Sequence, residues 1–254
     1  MLASGGRRIW LGSTLVNVIC TKWGDKYPPE YVNKLYGMVA RNLKRPFRFV
    51  CVTDEPRIGL RPEVETLPMP RIDLPERQRN WPWRKVSLFA PQIGDLSGVT
   101  LFLDLDILVT GGLDVFFDHP GDFCVIENWT QPGSKIGNTS VYRFVVGAHA
   151  DLYAHFMKDP QKIVNTYNNS QTFISRYLGN KMNFWPAEWV KSFKVHSVPP
   201  FWARAFVVPK IPEGVRIIAF PGDPKMPDAA QGKWPGGPHK FIRKTPWIDE
   251  FWRE

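Results

Sequence analysis

Two aspartates, Asp104 and Asp106, interrupt the apolar run VTLFLDLDILVT at residues 99–110. A buried carboxylate without a partner is costly, so it either takes up a proton or pairs with a cation. In an extended strand, residues two apart point to the same face, about 6–7 Å from each other. The run therefore predicts a core strand whose end carries two carboxylates in one direction, with something positive close to both.

A carboxylate pair of this kind suits two chemistries. In the first, both aspartates hold Mn²⁺ or Mg²⁺, and the metal takes the oxygens of a leaving nucleotide diphosphate. In the second, that of haloacid-dehalogenase-like phosphatases, Asp104 is the nucleophile and Asp106 the acid and base, with a later metal element at Asp223 and Asp228. That fold begins with the aspartate strand, whereas about 100 residues precede it here. The order of elements favours the first chemistry.

The elements before the aspartates form a β-α-β pattern. LVNVIC (15–20) and FRFVCV (47–52) are short apolar strand patterns. Between them, Pro28 and Pro29 open a helix with its apolar positions on one face, and the basic, proline-ended segment 44–46 closes it. Such a unit implies a parallel sheet with a right-handed crossover.

Each of the three predicted strands runs into polar residues at its carboxyl end. In chain order these are Thr21, Lys22, Thr53, Asp54, Asp104 and Asp106. In open parallel α/β sheets, ligands bind at the carboxyl ends of the strands. We therefore expect one site with a lysine, hydroxyl groups and a carboxylate pair, which suits a sugar nucleotide.

The rest of the chain adds strands and helices without a convincing linker. Strands are expected at 122–126, 140–146 and 216–220, and helices near 83–91, 149–158 and 170–178. We expect an α/β fold: one domain over residues 1–254, with a mostly parallel central sheet flanked by helices. Its nucleotide-binding half would span about 12–118 and its acceptor-side half about 119–254.

A series of motifs across residues 15–228 resembles one known family. The motifs are VCVTDEP, WPWRKVSLFAP, LFLDLDILVTGGLDVFF, NTSVYRF, NNSQTFISRYLG and FPGDPKMPD. In this order they look like bacterial GT-A-fold glycosyltransferases related to the glycogenin-like, galactosyltransferase-type retaining enzymes, and the order is more specific than any single motif. The resemblance implies a GT-A-like (Rossmann-like) domain. It also implies a metal-assisted transfer of sugar from a UDP-sugar to a glycan or lipid-linked acceptor.

The resemblance assigns the nucleotide side of the site. Near the nucleobase and ribose it implies Thr21, Lys22, Thr53 and Asp54. Lys85 would face the phosphates or the sugar of the donor.

The resemblance also assigns the metal and the sugar. Asp104 and Asp106 would hold the divalent metal and the ribose. Asn138 would touch the transferred sugar, and Gln171 would lie close to the anomeric carbon, so both are implied as catalytic residues.

The G-x-x-K element of the family matches Gly222 and Lys225, whose lysine would neutralise the diphosphate. Two positions depart from the family pattern. The metal-ligating histidine just before this element is replaced, since residues 219–221 read AFP, and Ser170 stands where an aspartate precedes Gln171. An alternative interpretation is therefore a nucleotide-sugar-binding protein that has lost turnover.

The formal net charge of +9 (33 Lys and Arg against 24 Asp and Glu) favours anionic partners such as nucleotides or anionic lipid. No basic and aromatic stripe suggests nucleic acid. Three cysteines in no metal spacing predict free thiols in a reducing compartment, so we expect a cytoplasmic protein. The apolar segment 9–20 is too short to span a membrane and has no cleavage site behind it.

The C-terminal segment has two interpretations. Trp247, Ile248, Phe251 and Trp252 fall on one helical face. The face either packs onto the domain, which we favour, or contacts an anionic membrane from the cytoplasmic side. Stacking on an acceptor sugar is a further role for some tryptophans, and the candidates are Trp81, Trp83, Trp185, Trp189 and Trp202.

Overall fold

The computed structural model describes residues 15–55, 57, 59–78 and 82–254. The strands, in chain order, are β1 (Val16–Lys22), β2 (Phe47–Thr53), β3 (Glu65–Leu67), β4 (Val99–Leu103), β5 (Ile107–Val109), β6 (Phe123–Glu127), β7 (Gly137–Val145), β8 (Met182–Phe184), β9 (Val190–Ser192) and β10 (Ile217–Ala219). The α-helices are α1 (Pro29–Asn42), α2 (Asp114–Asp118), α3 (Ala150–Lys158), α4 (Pro160–Thr166), α5 (Ser170–Leu178), α6 (Met226–Ala230) and α7 (Trp247–Phe251). The predicted β-α-β unit and the helices near 149–158 and 170–178 are confirmed.

The main sheet has seven strands in the order β3-β2-β1-β4-β7-β6-β8. β1 pairs in parallel with both β2 and β4, and β2 pairs in parallel with β3. β7 runs antiparallel between β4 and β6, while β6 and β8 are parallel to each other. The mostly parallel sheet predicted from the sequence is confirmed, and both predicted halves contribute strands to it. The division at residue 118 stays a prediction.

Alternate residues of the central strands belong to two separate cores. On β1, Val18 and Cys20 lie in one core and Ile19 in the other. The first core joins the sheet to α1, α6 and α7, and the second joins it to α3, α5 and a 3₁₀ helix at Pro82–Phe89. Because both faces of the sheet are covered, its central strands are apolar at nearly every position. The three cysteines are buried and unpaired, as expected.

The apolar run that carries the aspartates is divided between two strands, and the first of them ends directly before Asp104, as predicted. β4 ends at Leu103, the chain turns at 105–106, and β5 begins at Ile107. β5 pairs antiparallel with β10 in a second, three-stranded sheet of order β5-β10-β9. The chain must therefore leave the main sheet between the two apolar halves of the run. Both aspartates lie at this exit, between the last residue of β4 and the first residue of β5.

The C-terminal helical face packs onto the domain, which confirms the interpretation we favoured. Ile248 is fully buried, and Trp252 is 6% exposed. Arg41 of α1 donates hydrogen bonds to the carbonyl oxygens of Phe251 and Arg253 at 2.8 and 2.9 Å. Among the described residues, no helix is both long and apolar enough to cross a membrane.

The tryptophans proposed for acceptor stacking differ in exposure. Trp83 and Trp185 are core residues, 2% and 3% exposed, so neither can stack on a sugar. Trp189 is half-buried and packs edge-on against Phe116, whereas Trp202 is 79% exposed. Trp81 lies outside the described residues. Of the described candidates, Trp202 is the one free to meet a large ligand.

His149 should make the protein less stable in acid. It is 6% exposed between the rings of Phe89 and Phe123, and burial lowers the pKa of its imidazole below 6.5. The folded state therefore binds fewer protons than the unfolded chain at pH values below about 6.5. Above that pH His149 causes no loss of stability. Below it, the free energy of unfolding falls by at most about 1.4 kcal/mol per pH unit because of this residue. Urea unfolding of wild type and His149→Phe at about pH 7.5 and about pH 5.5 checks this. An equal loss in both proteins would contradict it.

Candidate active site

The carboxyl ends of β1, β2 and β4 lie at the same edge of the main sheet. Lys22 at the end of β1 is in register with Thr53 at the end of β2, and Ile19 is in register with Phe102 of β4. The predicted convergence of three polar strand ends is therefore confirmed as a matter of topology. β1 is the middle strand of the three, so its last residues lie between the nucleotide-side residues of β2 and the aspartates.

Asp104 is held by a lysine on the neighbouring 3₁₀ helix. Lys85 donates from its Nζ to the carboxylate of Asp104 at 2.6 Å, and the same nitrogen lies 3.4 Å from the carbonyl oxygen of Thr139 on β7. The backbone N–H of Asp104 donates to the carbonyl oxygen of Ser140 at 2.8 Å. Both side chains are largely covered, with 8% of Lys85 and 17% of Asp104 exposed. The two form a mostly buried ion pair between β4 and β7.

Asp106 is held by a second lysine and a tyrosine. Lys225 donates from its Nζ to Oδ2 of Asp106 at 2.5 Å, and the hydroxyl of Tyr27 donates to the same oxygen at 2.9 Å. The backbone N–H of Phe220 donates to the carbonyl oxygen of Asp106 at 2.8 Å, which ties the end of β10 to the aspartate turn. Lys225 also donates to the carbonyl oxygen of Phe220 at 3.1 Å. The cations that the aspartates require are therefore ammonium groups of the chain itself.

Burial and nearby negative charge raise the pKa values of two acid groups in this cluster, Asp104 and Tyr27. Burial raises the pKa of Asp104 to about 6, and the negative charge of Asp106 adds to the rise, while the ammonium of Lys85 opposes it. Burial also raises the pKa of Tyr27, as does the carboxylate of Asp106 that its hydroxyl contacts. Tyr27 therefore stays a neutral hydrogen-bond donor at physiological pH.

The nucleotide-side residues make contacts that the sequence did not show. Lys22 forms an ion pair with Glu55, and Thr53 accepts a hydrogen bond at Oγ1 from the backbone N–H of Glu55 at 3.1 Å. Asp54 accepts from the backbone N–H of Met69 at 3.1 Å and pairs with Arg84 at 3.3 Å. Thr21 is 6% exposed on β1. These residues line the predicted edge, and their roles toward a nucleoside stay predictions.

Asn138 and Gln171 lie on two elements that pack together. Asn138 is 8% exposed on β7, and its Oδ1 accepts from the backbone N–H of Ser140 at 3.1 Å. Ser175 of α5 accepts at Oγ from the backbone N–H of Gly137 at 2.9 Å. Gln171 is half-buried one turn earlier on the same helix face. This packing makes a shared position beside the cluster feasible, and the catalytic roles stay predictions.

The loop that carries the G-x-x-K element brings in a lysine that sequence reasoning missed. Gly222 has φ of +68°, which a residue with a side chain rarely adopts, and Lys225 follows at the start of α6. A Cβ on Gly222 would lie 3.2 Å from Nζ of Lys194. Lys194 belongs to a one-turn π-helix at Phe193–Ser197 that follows β9. Its local sequence, SFKVHS, contains no signal of a role, and Tyr27, Glu55 and Ser140 were missed in the same way.

The donor set does not fit a preformed site for the divalent cation that the resemblance implies. The carboxylates of Asp104 and Asp106 already contact ammonium nitrogens. In the described parts of the chain, no three Asp, Glu, His or Cys residues are grouped so that they could hold a metal ion. The segment just before Gly222 contributes a buried strand end and Pro221, neither of which supplies a side-chain ligand. Metal binding stays a prediction.

Three glycosyltransferases are among the solved structures with a similar backbone. The galactosyltransferase LgtC in complex with donor and acceptor sugar analogs has a TM-score of 0.55 and 13% identity, over 83% of this chain and 88% of that chain. The bifunctional glycosyltransferase WbbM has a TM-score of 0.57 and 13% identity, over 87% and 48%. GlyE of Streptococcus pneumoniae TIGR4 has a TM-score of 0.56 and 12% identity, over 82% and 56%. This chain thus spans about half the length of the last two.

No family model and no curated protein matches the sequence. At sequence identities this low, the similarity lies in the course of the backbone and does not extend to the roles of individual side chains. The seven-stranded, mostly parallel sheet flanked by helices is the feature shared with these structures. The chain has the GT-A-like fold of solved glycosyltransferases.

Proposed function

We propose that the protein is a glycosyltransferase that takes a sugar from a nucleotide diphosphate donor, a UDP-sugar in the first instance, and passes it to a glycan or lipid-linked acceptor with retention of configuration. One observation carries the proposal: two aspartates and two lysines from three separate chain segments converge at the carboxyl edge of the sheet in a GT-A-like fold. The LgtC structure holds donor and acceptor sugar analogs, which supports sugar transfer as the activity of this fold.

The cluster has the charges that departure of a nucleotide diphosphate needs. Negative charge grows on the diphosphate as the bond to the sugar breaks, and preorganised cations lower the energy of that state most in a site with little water. Lys225 would supply one such ammonium, held in place by Asp106 and the carbonyl oxygen of Phe220. Asp104, oriented by Lys85, would accept hydrogen bonds from hydroxyl groups of the ribose or the donor sugar.

The catalytic roles of Asn138 and Gln171 extend this proposal. A side-chain amide beside the anomeric carbon can donate and accept hydrogen bonds as charge develops on the sugar. The packing of α5 against β7 supports this role for Gln171, and the hydroxyl of Ser170 before it donates to the carbonyl oxygen of Pro82 at 3.3 Å. Ser170 thus has a structural contact where the family has an aspartate.

A second candidate is a nucleotide-sugar-binding protein without turnover. The absence of a carboxylate at Ser170 and of a side-chain ligand at Pro221 favours it, because both departures remove a group that the resemblance links to chemistry. A phosphatase of the haloacid-dehalogenase type is not compatible with the fold, since that architecture begins with the aspartate strand and β4 follows three other strands here.

The test is a panel of nucleotide sugars examined for binding and for turnover. A true donor at about 100 times its Kd should stabilise the protein by roughly 2.7 kcal/mol, which a thermal-shift assay detects. Release of nucleotide diphosphate from the same compound, alone or with a glycan acceptor, shows transfer. Stabilisation by a nucleotide sugar without release of nucleotide diphosphate would favour the binding protein without turnover. If no nucleotide sugar binds, both candidate functions are refuted.

Gln171→Ala should separate binding from chemistry. If Gln171 acts at the anomeric carbon, kcat should fall about 100-fold while the Kd for the nucleotide diphosphate stays unchanged. Gln161→Ala, at an exposed glutamine on α4, is the matched control and should leave both quantities unchanged. Steady-state release of nucleotide diphosphate gives kcat, and calorimetry gives Kd. A weaker Kd with unchanged kcat would show that Gln171 only holds the ligand.

A further inference from the structure

Lys194 occupies an unusual place beside the candidate active site. It is half-buried on the π-helix Phe193–Ser197, and its ammonium lies against Gly222, where an added Cβ would be 3.2 Å from Nζ. A glycine at this point leaves the backbone of the loop open toward the ammonium. Lys194 thus faces the same loop that positions Lys225.

The charge around Lys194 is not balanced by the protein. Within the described part of the chain, no carboxylate lies within ion-pair distance of its Nζ, whereas Lys225 already donates to Asp106. Burial lowers the pKa of Lys194, and the positive charge of Lys225 lowers it further. Asp223 opposes these effects, while Lys240, which lowers the pKa, and Asp106, which raises it, contribute less. A half-buried ammonium with cationic neighbours and no ion-pair partner is stabilised when an anion binds.

We propose that Lys194 and Lys225 together bind the diphosphate of the donor and supply there the positive charge that a divalent cation would otherwise supply. The proposal rests on the proposed function for the identity of the ligand. It adds a binding residue, Lys194, from a different chain segment, and it states that nucleotide binding does not require a metal ion.

The arrangement of the two lysines supports joint binding of one diphosphate. Lys225 is fixed by Asp106 and by the carbonyl oxygen of Phe220, so its ammonium is held at the aspartate turn. Nζ of Lys194 lies on the side of Gly222 toward which a Cβ would point. The loop that carries Lys225 also lies against the ammonium of Lys194, so the two ammonium groups can contact the two phosphoryl groups of one diphosphate. The poor fit of the aspartates to a metal ion follows from the same contacts, since the ammonium of Lys225 takes the place of a cation at Asp106.

Calorimetric titrations in EDTA with UDP, inorganic pyrophosphate and uridine test the proposal. Wild type should bind UDP and pyrophosphate in EDTA, and Lys194→Met should weaken both by about 10- to 100-fold, as expected for the loss of a charge-assisted hydrogen bond. Uridine binding should not change, because uridine carries no phosphate. Lys194→Arg keeps the charge and should restore most of the affinity. Lys210→Met, at an exposed lysine farther along the chain, should behave as wild type.

The outcomes separate this proposal from the proposed function. UDP binding that is the same in wild type and Lys194→Met, or that appears only with Mn²⁺, would overturn the two-lysine site and leave the glycosyltransferase proposal intact. Pyrophosphate binding that needs Lys194, with no binding or turnover of any nucleotide, would support the anion site and refute the proposed donor. If Lys194→Met weakens the binding of uridine and of UDP equally, the substitution damages the fold. In that case Lys194→Arg decides, and a failure of this variant to restore UDP binding would overturn the proposal.

Discussion

Replacing Lys85 by methionine should lower the free energy of unfolding by about 3–5 kcal/mol, because it leaves the mostly buried carboxylate of Asp104 without its cation. The carboxylate oxygens of Asp104 lie 2.6 Å from Nζ of Lys85, so no water layer separates the charges. Without the ammonium, the pKa of Asp104 should rise above its present value of about 6, and the side chain should protonate. The difference in free energy of unfolding between wild type and Lys85→Met should therefore become smaller as the pH falls toward 5.

A double-mutant cycle measures this coupling. Lys85→Met, Asp104→Asn and the double variant are compared with wild type by urea unfolding at two pH values. The double variant should be more stable than Lys85→Met, since it contains no unpaired carboxylate. Lys158→Met, at an exposed lysine of α3, should stay within about 0.5 kcal/mol of wild type. A Lys85→Met protein as stable as that control would show that the ion pair contributes little.

Trp252→Ala should cost about 3–5 kcal/mol of stability, the range for removing a large aromatic side chain from a core. The indole ring is 6% exposed, makes an edge contact with Tyr31 at a centroid distance of 5.1 Å, and has Nζ of Lys34 3.6 Å from its centroid. Trp202→Ala is the matched control, because Trp202 is 79% exposed, and it should change the stability by less than about 0.5 kcal/mol. Thermal and urea unfolding measure both variants.

Gly37 tests the same packing from the side of α1. A Cβ at this position would lie 2.5 Å from the backbone carbonyl carbon of Glu254, so Gly37→Ala must displace the end of the chain. We expect it to destabilise the protein, although alanine favours helix more than glycine does. A more stable Gly37→Ala protein would contradict the docking of the C-terminal segment. Contact of this segment with a membrane is not needed to explain its aromatic residues.

Much of the sheet could be predicted because its signals are local. The apolar strands 15–20 and 47–52, the helix opened by Pro29 and the helix ended by Gly179 all follow from periods and breakers within a few residues. Parallel pairing then places the ends of β1, β2 and β4 together, and this alone predicted a polar site at that edge. The end of β4 at the aspartates was predicted, but the place of residues 107–109 in a second sheet was not, since an apolar run that changes sheets has the same local pattern as a continued strand.

The sequence by itself determined that two carboxylates stand in an apolar region and that positive charge must meet them. Only the tertiary structure decided which charges these are. Lys85 and Lys225 are 19 and 119 residues from their aspartates, and Lys194 reaches the site from a π-helix with no sequence signal. Local propensity carries no information on such pairs, because they form only when sheet order, the exchange between two sheets and the loop at Gly222 bring distant segments together. The demand for a cation is a property of one buried strand, whereas the choice between a metal ion and an ammonium depends on long-range packing.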